Sequence, residues 1–132
     1  MVSSRVNSHK NLIVWQKALA LAVKVHYGST AFPRHELFGL TSQMRRAAIS
    51  VPSNIAEGAA RRTTRDFLSF LHVARGSLAE LETQLLLARE IGYLDEPTRN
   101  QLIAELAEVG RLINAFIVGL RRRAVEAPPT NR

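Results

Sequence analysis

A chain of 132 residues, 46% of them apolar, suffices for one domain with a buried core. It has no cysteine, which excludes a disulfide framework and a thiolate zinc site, and no run of the ~20 apolar residues that a membrane span requires. Its net charge of +7 rests on 15 arginines against three lysines, so it is either an ordinary basic protein or one with a polyanionic partner, most commonly nucleic acid.

The charge is uneven along the chain: +4 over residues 1–33, +4 over 34–65, −5 over 66–110 and +4 over 111–132. Residues 1–10 read as a flexible segment without the apolar stretch of a signal peptide, and the cytoplasm is the expected location. A first helix is expected from about Asn11 to Ser29, with Leu12, Trp15, Leu19, Ala22, Val23 and His26 on one face. Gly28 and Pro33 close it.

The second helix begins between Leu37 and Thr41 and has two distinct faces. Leu40, Met44, Ala47, Ala48, Val51 and Ile55 share an apolar arc of about 100°. Arg46, Ser50, Asn54, Glu57 and Arg61 form a narrower polar stripe, which suits a subunit contact or a binding face. Pro52 should kink or break this helix, because proline lacks the amide hydrogen and crowds the preceding turn.

The third helix carries Phe67, Leu71, Ala74, Leu78, Leu81, Leu85 and Ala88 at alternating spacings of four and three. Thr63 or Thr64 is its N-cap candidate, Asp66 lies in its first turn, and Gly92 stands where a left-handed residue ends it. The fourth opens at Asp95 with Pro97 in its first turn and continues through Leu102, Leu106, Val109, Ile113, Phe116 and Leu120. A mean period of 3.5 and short connections predict an all-α, antiparallel up-and-down four-helix bundle over residues 11–123. The Pro-containing tail, 124–132, reads as disordered. Ile103, Gly110 and Ile117, with Leu68 and Leu86, lie outside the main seams and point to self-association.

Catalytic and metal constellations are not found. No glutamate has a histidine three residues later, and His9, His26, His35 and His72 lack metal-ligand spacing. There is no phosphate-cradling glycine loop, and Ser77 lies within a heptad run instead of a nucleophile elbow. His26 and His72 read as packed or half-exposed helix residues. Glu80 and Glu82 point to different faces, and Glu80 reads as an arginine's partner, within the chain or across an interface. No enzyme activity, cofactor or metal is expected.

What remains is the arginines. Antiparallel helices bring the turn bearing Arg61, Arg62 and Arg65 to the same end as Arg121, Arg122 and Arg123, with Arg45 and Arg46 some four turns away. A helix dipole accounts for Arg121–Arg123 at a C-terminus but not for the other three. Few aromatics accompany them, so contacts to nucleic acid would fall on phosphate, with Arg45 included among the candidates.

The motifs Leu12-Ile13-Val14-Trp15, Phe38-Gly39-Leu40-Thr41, Gln43-Met44-Arg45-Arg46-Ala47-Ala48, Ser53-Asn54-Ile55-Ala56-Glu57-Gly58, Phe67-Leu68-Ser69-Phe70-Leu71, Ala74-Arg75-Gly76-Ser77, Glu80-Leu81-Glu82 and Gly92-Tyr93-Leu94 together resemble a bacterial four-helix-bundle family. Its first members were found encoded in intervening sequences of large-subunit ribosomal RNA genes. The resemblance covers Asn11 to Leu120 and implies a cytosolic protomer that assembles as a ring, typically a pentamer. The fold is also similar to the accessory protein of diversity-generating retroelements, a basic pentamer that binds nucleic acid and a reverse transcriptase. It supplies no catalytic residues, and it leaves Arg46 and Glu57 open to a role at the ring interface. The expected function is a homo-oligomer binding nucleic acid, RNA foremost; the rival is a protein–protein scaffold whose arginines meet subunits or acidic partners.

Overall fold

Each helix finds its neighbours through its apolar stripe, and the short turns between helices make those neighbours antiparallel. The computed structural model describes residues 8–126: a 3-10 turn at Ser8–Asn11, then α1 (Ile13–Gly28), α2 (Leu40–Ala59), α3 (Thr64–Glu90) and α4 (Glu96–Glu126). A second 3-10 turn, Arg34–Glu36, lies between α1 and α2. Close approaches run α1–α2, α2–α3, α3–α4 and α4–α1, which defines an up-and-down four-helix bundle. Residues 1–7 and 127–132, parts of the expected flexible ends, lie outside the described residues. The last helix continues to Glu126, past the expected boundary at residue 123.

The core of α2 is as its periodicity predicts: Met44, Ala47, Ala48, Val51 and Ile55 are buried. It meets Leu71, Ala74, Leu78, Leu81, Leu85 and Ala88 of α3 and Leu102, Leu106, Val109, Ile113 and Leu120 of α4. α2 and α3 are the most closely apposed pair. Small residues at their contact let the backbones come together: Ser50 meets Ser77, and Gly58 lies directly against Phe67 and Phe70. Pro52 does not break α2, which runs as one helix from Leu40 to Ala59 with Pro52 buried. Burial of Ala48, Val51 and Ile55 around it outweighs the single helical hydrogen bond that proline forfeits.

On α1 the face differs from the expected one. Val14, Ala18, Leu21 and Val25 point inward, whereas Leu19 and Val23 are 40% and 47% exposed. The sequence of α1 is apolar nearly all round, so periodicity does not select a face; its neighbours do. Lys24 Nζ lies 2.6 Å from Glu105 Oε1 and Lys17 Nζ 3.6 Å from Glu108 Oε1, which orients α1 against α4. Leu19, Val23 and Tyr27 are left as an exposed apolar stripe. The additional apolar line also differs: Ile117 is buried, and Ile103 and Leu68 pack against the core. Only Leu86 of that group is exposed, because α4 seats more of its circumference than one seam requires.

Helix ends follow the expected chemistry. Thr63 Oγ1 accepts from the Asp66 amide at 3.1 Å, and Asp95 Oδ1 accepts from the Thr98 amide at 2.8 Å. Gly92, with φ of 85°, ends α3 while the Tyr93 amide donates to the Ala88 carbonyl at 2.8 Å.

Beside it, Tyr93 donates its hydroxyl to Glu36 Oε2 at 2.8 Å, and the Leu40 amide donates to Glu36 Oε1 at 3.2 Å. The Tyr93 hydroxyl, then the Leu40 amide, hold the Glu36 carboxyl below its ordinary value of 4.5 against an opposing burial effect, with His35 adding a smaller lowering. A carboxyl lowered on folding contributes stability that is complete above its unfolded value and is lost as pH falls through the folded one. Tyr93→Phe should therefore flatten the fall in melting temperature between about pH 6 and about pH 3, where carboxylates titrate. An unchanged pH profile in thermal unfolding would show that this contact contributes nothing.

Candidate nucleic-acid interface

The last turn of α2, residues 60–63, and the first turn of α3 form the basic end of the bundle. Arg61, Arg62 and Arg65 are exposed there, and antiparallel α4 delivers exposed Arg121, Arg122 and Arg123 to the same end. Phe67 of α3 and Phe116 of α4 pack at a tilt of 52° with ring centroids 5.3 Å apart, which ties the two helices together beneath this surface. The arginines divide between two flanks of α3. On the α2 side, the Arg61 guanidinium lies 4.8 Å over the Phe70 ring and Arg61 Nη2 is 3.4 Å from Glu57 Oε2. This i,i+4 pair, being exposed, is worth only about 0.3–0.5 kcal/mol. On the α4 side, Arg121 Nη2 lies 3.0 Å from His72 Nε2. Arg62, Arg65, Arg122 and Arg123 have no ion pair within 4 Å among the described residues.

Arg45 belongs elsewhere. Its Nε donates to Ser29 Oγ at 2.9 Å and its Nη2 to the His26 carbonyl at 3.1 Å, at the end of α1. Carbonyls in the last turn of a helix have no partner within it, and Arg45 supplies one of them with a charged donor. It is a capping residue at the end of the bundle remote from the basic turn, and it drops out of the candidate interface.

The polar stripe of α2 also divides. Ser50 Oγ lies 2.8 Å from Ser77 Oγ, and Asn54 Nδ2 donates to the Ser50 carbonyl at 2.8 Å and to Ser50 Oγ at 2.9 Å. Ser50 thus joins α2 to α3 within one protomer, and Asn54 braces it from the same helix. Arg46 and Glu80 line a cleft of about 440 Å³ with Gln43, Ala47, Ser50 and Ser77. No ion pair joins them within 4 Å, so neither Glu80 nor Arg46 is neutralised within the described chain. Glu57 at the far end of the stripe is exposed beside Arg61.

His72 and Arg75 were not singled out in the sequence as binding residues. Their one available signal was a His-x-x-Arg spacing, which puts both on one flank of α3; that Arg121 meets them depends on the α3–α4 register. Among the described residues, no three His, Asp or Glu side chains come close enough to hold a metal ion, and no helix is long and apolar enough to cross a membrane.

Comparison with curated proteins finds no match. The fold does have a solved counterpart: the 1.70 Å crystal structure of a protein with unknown function from the S23 ribosomal protein family of Bacteroides thetaiotaomicron VPI-5482. It superposes with a TM-score of 0.74 at 23% identity, covering 80% of this chain and 95% of that one. At that identity the likeness is one of fold. The sequence model described as 23S rRNA-intervening sequence protein matches residues 10–115, and on that match the chain belongs to the 23S rRNA-intervening sequence protein family.

Proposed function

We propose that the protein is a non-enzymatic homo-oligomer, a ring and most simply a pentamer, that binds structured RNA in the cytoplasm through arginines repeated on each protomer. One observation carries the reading: Arg62, Arg65, Arg122 and Arg123 gather at one end of the bundle with no ion pair to a carboxylate within 4 Å among the described residues. Arg65 lies in the first turn of α3, where the helix dipole disfavours a cation, so nothing in its own helix accounts for it. An external polyanion does. The family's name links it to intervening sequences of 23S rRNA, which favours RNA as that polyanion. With no exposed aromatic platform in this cluster, contacts fall on phosphate, and repetition around a ring raises avidity without a strong single site.

The exposed stripe of Leu19, Val23 and Tyr27 on α1 offers apolar surface for assembly. The same stripe, with the unneutralised Arg46 and Glu80 in their cleft, is what favours the second reading, a scaffold that binds other proteins.

The test is binding of the purified protein to a labelled structured RNA across a salt series, with the mass measured in the same buffers. Affinity should fall steeply with salt while the mass stays that of the oligomer. An intact oligomer that fails to bind RNA at low salt would eliminate the RNA reading in favour of the scaffold.

A further inference from the structure

His72 and Arg75, one turn apart on α3, face Asn114 and Arg121, two turns apart on antiparallel α4. Arg75 Nη2 lies 2.9 Å from His72 Nδ1, Arg121 Nη2 lies 3.0 Å from His72 Nε2, and Arg75 Nη1 donates to Asn114 Oδ1 at 3.2 Å. A guanidinium only donates, and a neutral imidazole has a single acceptor nitrogen. One of the two Arg–His contacts therefore sets N–H against N–H; in a protonated ring both do. Among the described residues no carboxylate lies within 4 Å of Arg75 or Arg121, on α3 or on α4. Three basic groups converge with more donors than the protein supplies acceptors. Water can receive some of these N–H groups, but it brings no compensating charge.

We propose that His72, Arg75 and Arg121 form a phosphate-binding site on the flank between α3 and α4. Phosphate suits the geometry better than a carboxylate does. Its oxygens point in three directions and can each accept from a different side chain, whereas a carboxylate accepts in one plane. Arg65 stands two turns before His72 on the same face of α3, about 10 Å along the helix. A line of basic groups from Arg65 through His72 to Arg121 follows a run of phosphates better than it surrounds an isolated ion. The source as a nucleic-acid backbone rests on the RNA reading above; the site itself rests on the side-chain geometry.

The experiment follows the side-chain imidazole resonances of the full-length protein by NMR, with His72 identified among four histidines by its loss in His72→Gln. Inorganic phosphate and a labelled RNA hairpin are added separately at constant pH, with sodium chloride at matched ionic strength as the control. An anion beside the ring favours its protonated form. Phosphate should therefore move the His72 resonances saturably toward that form while chloride does not, and the hairpin should do so at far lower concentration. Arg75→Gln or Arg121→Gln should weaken the phosphate response by on the order of tenfold, the loss of one charge-assisted contact.

A response to phosphate without one to the hairpin would keep the site, make a free phosphate its ligand, and count against the RNA reading. A hairpin that binds while His72 responds to neither probe would overturn this site and leave RNA to the arginines of the α2–α3 turn. Silence to both probes from folded protein would overturn the site as well.

Discussion

Replacing Arg61, Arg62 and Arg65 with glutamate should weaken binding to a structured RNA by on the order of a hundredfold or more and lower the slope of log affinity against log salt by about three. Each arginine at a phosphate releases condensed counterions on binding, so each lost contact removes about one unit of slope; reversed charge adds repulsion. The fold should tolerate the change. All three residues are exposed, and among the described residues only Arg61 of the three makes an ion pair, with Glu57 at 3.4 Å. That pair and the stacking of Arg61 over Phe70 are together worth about 1 kcal/mol at an exposed site. The oligomer's mass should therefore be unchanged while RNA binding collapses. Dissociation of the oligomer by the same triple substitution would place these arginines at a subunit interface and remove them from the RNA site.

Gly58→Ala should destabilise the protein by up to about 2 kcal/mol, although alanine is the better helix former. Gly58 lies in the last turns of α2 against the start of α3. A Cβ there would sit 2.8 Å from Phe67 Cδ1, 2.8 Å from Phe70 Cβ and 3.3 Å from the Phe67 carbonyl oxygen. Phe70 Cβ is one bond from the backbone, so relief requires the two helices to part where they are closest. With two contacts of 2.8 Å the overpacking cost falls in the upper part of the usual range of about 1–3 kcal/mol, which exceeds the gain of about 0.5–1 kcal/mol from replacing a helical glycine.

Gly76 provides the opposite sign within α3: no atom lies within 4 Å of its added Cβ, and the position is exposed. Gly76→Ala should raise stability by about 0.5–1 kcal/mol. Denaturant unfolding of the two variants beside the parent decides the matter. Equal, stabilising shifts would show that the close crossing at Gly58 is not rigid. Because Gly58 stands just before the basic turn, a real separation there would also displace Arg61 and Arg62 relative to α3.

The arrangement of helices was legible because α2, α3 and α4 each combine an apolar period near 3.5 with explicit end signals. Thr63 and Asp95 cap as their positions predict, and Gly92 takes the left-handed conformation that its place after α3 requires. Where a helix is apolar on most of its circumference, the same reasoning loses its contrast. On α1 it selected Leu19 and Val23 for the core, and the structure seats Val14, Ala18, Leu21 and Val25 instead. Pro52 shows the converse: a strong local signal to break the helix is overridden by burial on both sides.

The candidate site separates along the same line. Chain order and helix direction alone placed Arg61, Arg62, Arg65 and Arg121–Arg123 at one end of the bundle, since short turns between periodic helices leave no other arrangement. Which arginines face solvent and which serve the protomer depended on contacts between residues remote in sequence. Arg45 reaches across 19 residues to the His26 carbonyl, and Arg121 across 49 to His72. Helical periodicity encodes the face on which a residue lies, because it is a property of one segment. What a side chain meets on that face is set by the register and separation of two helices, which the packing of the whole core decides.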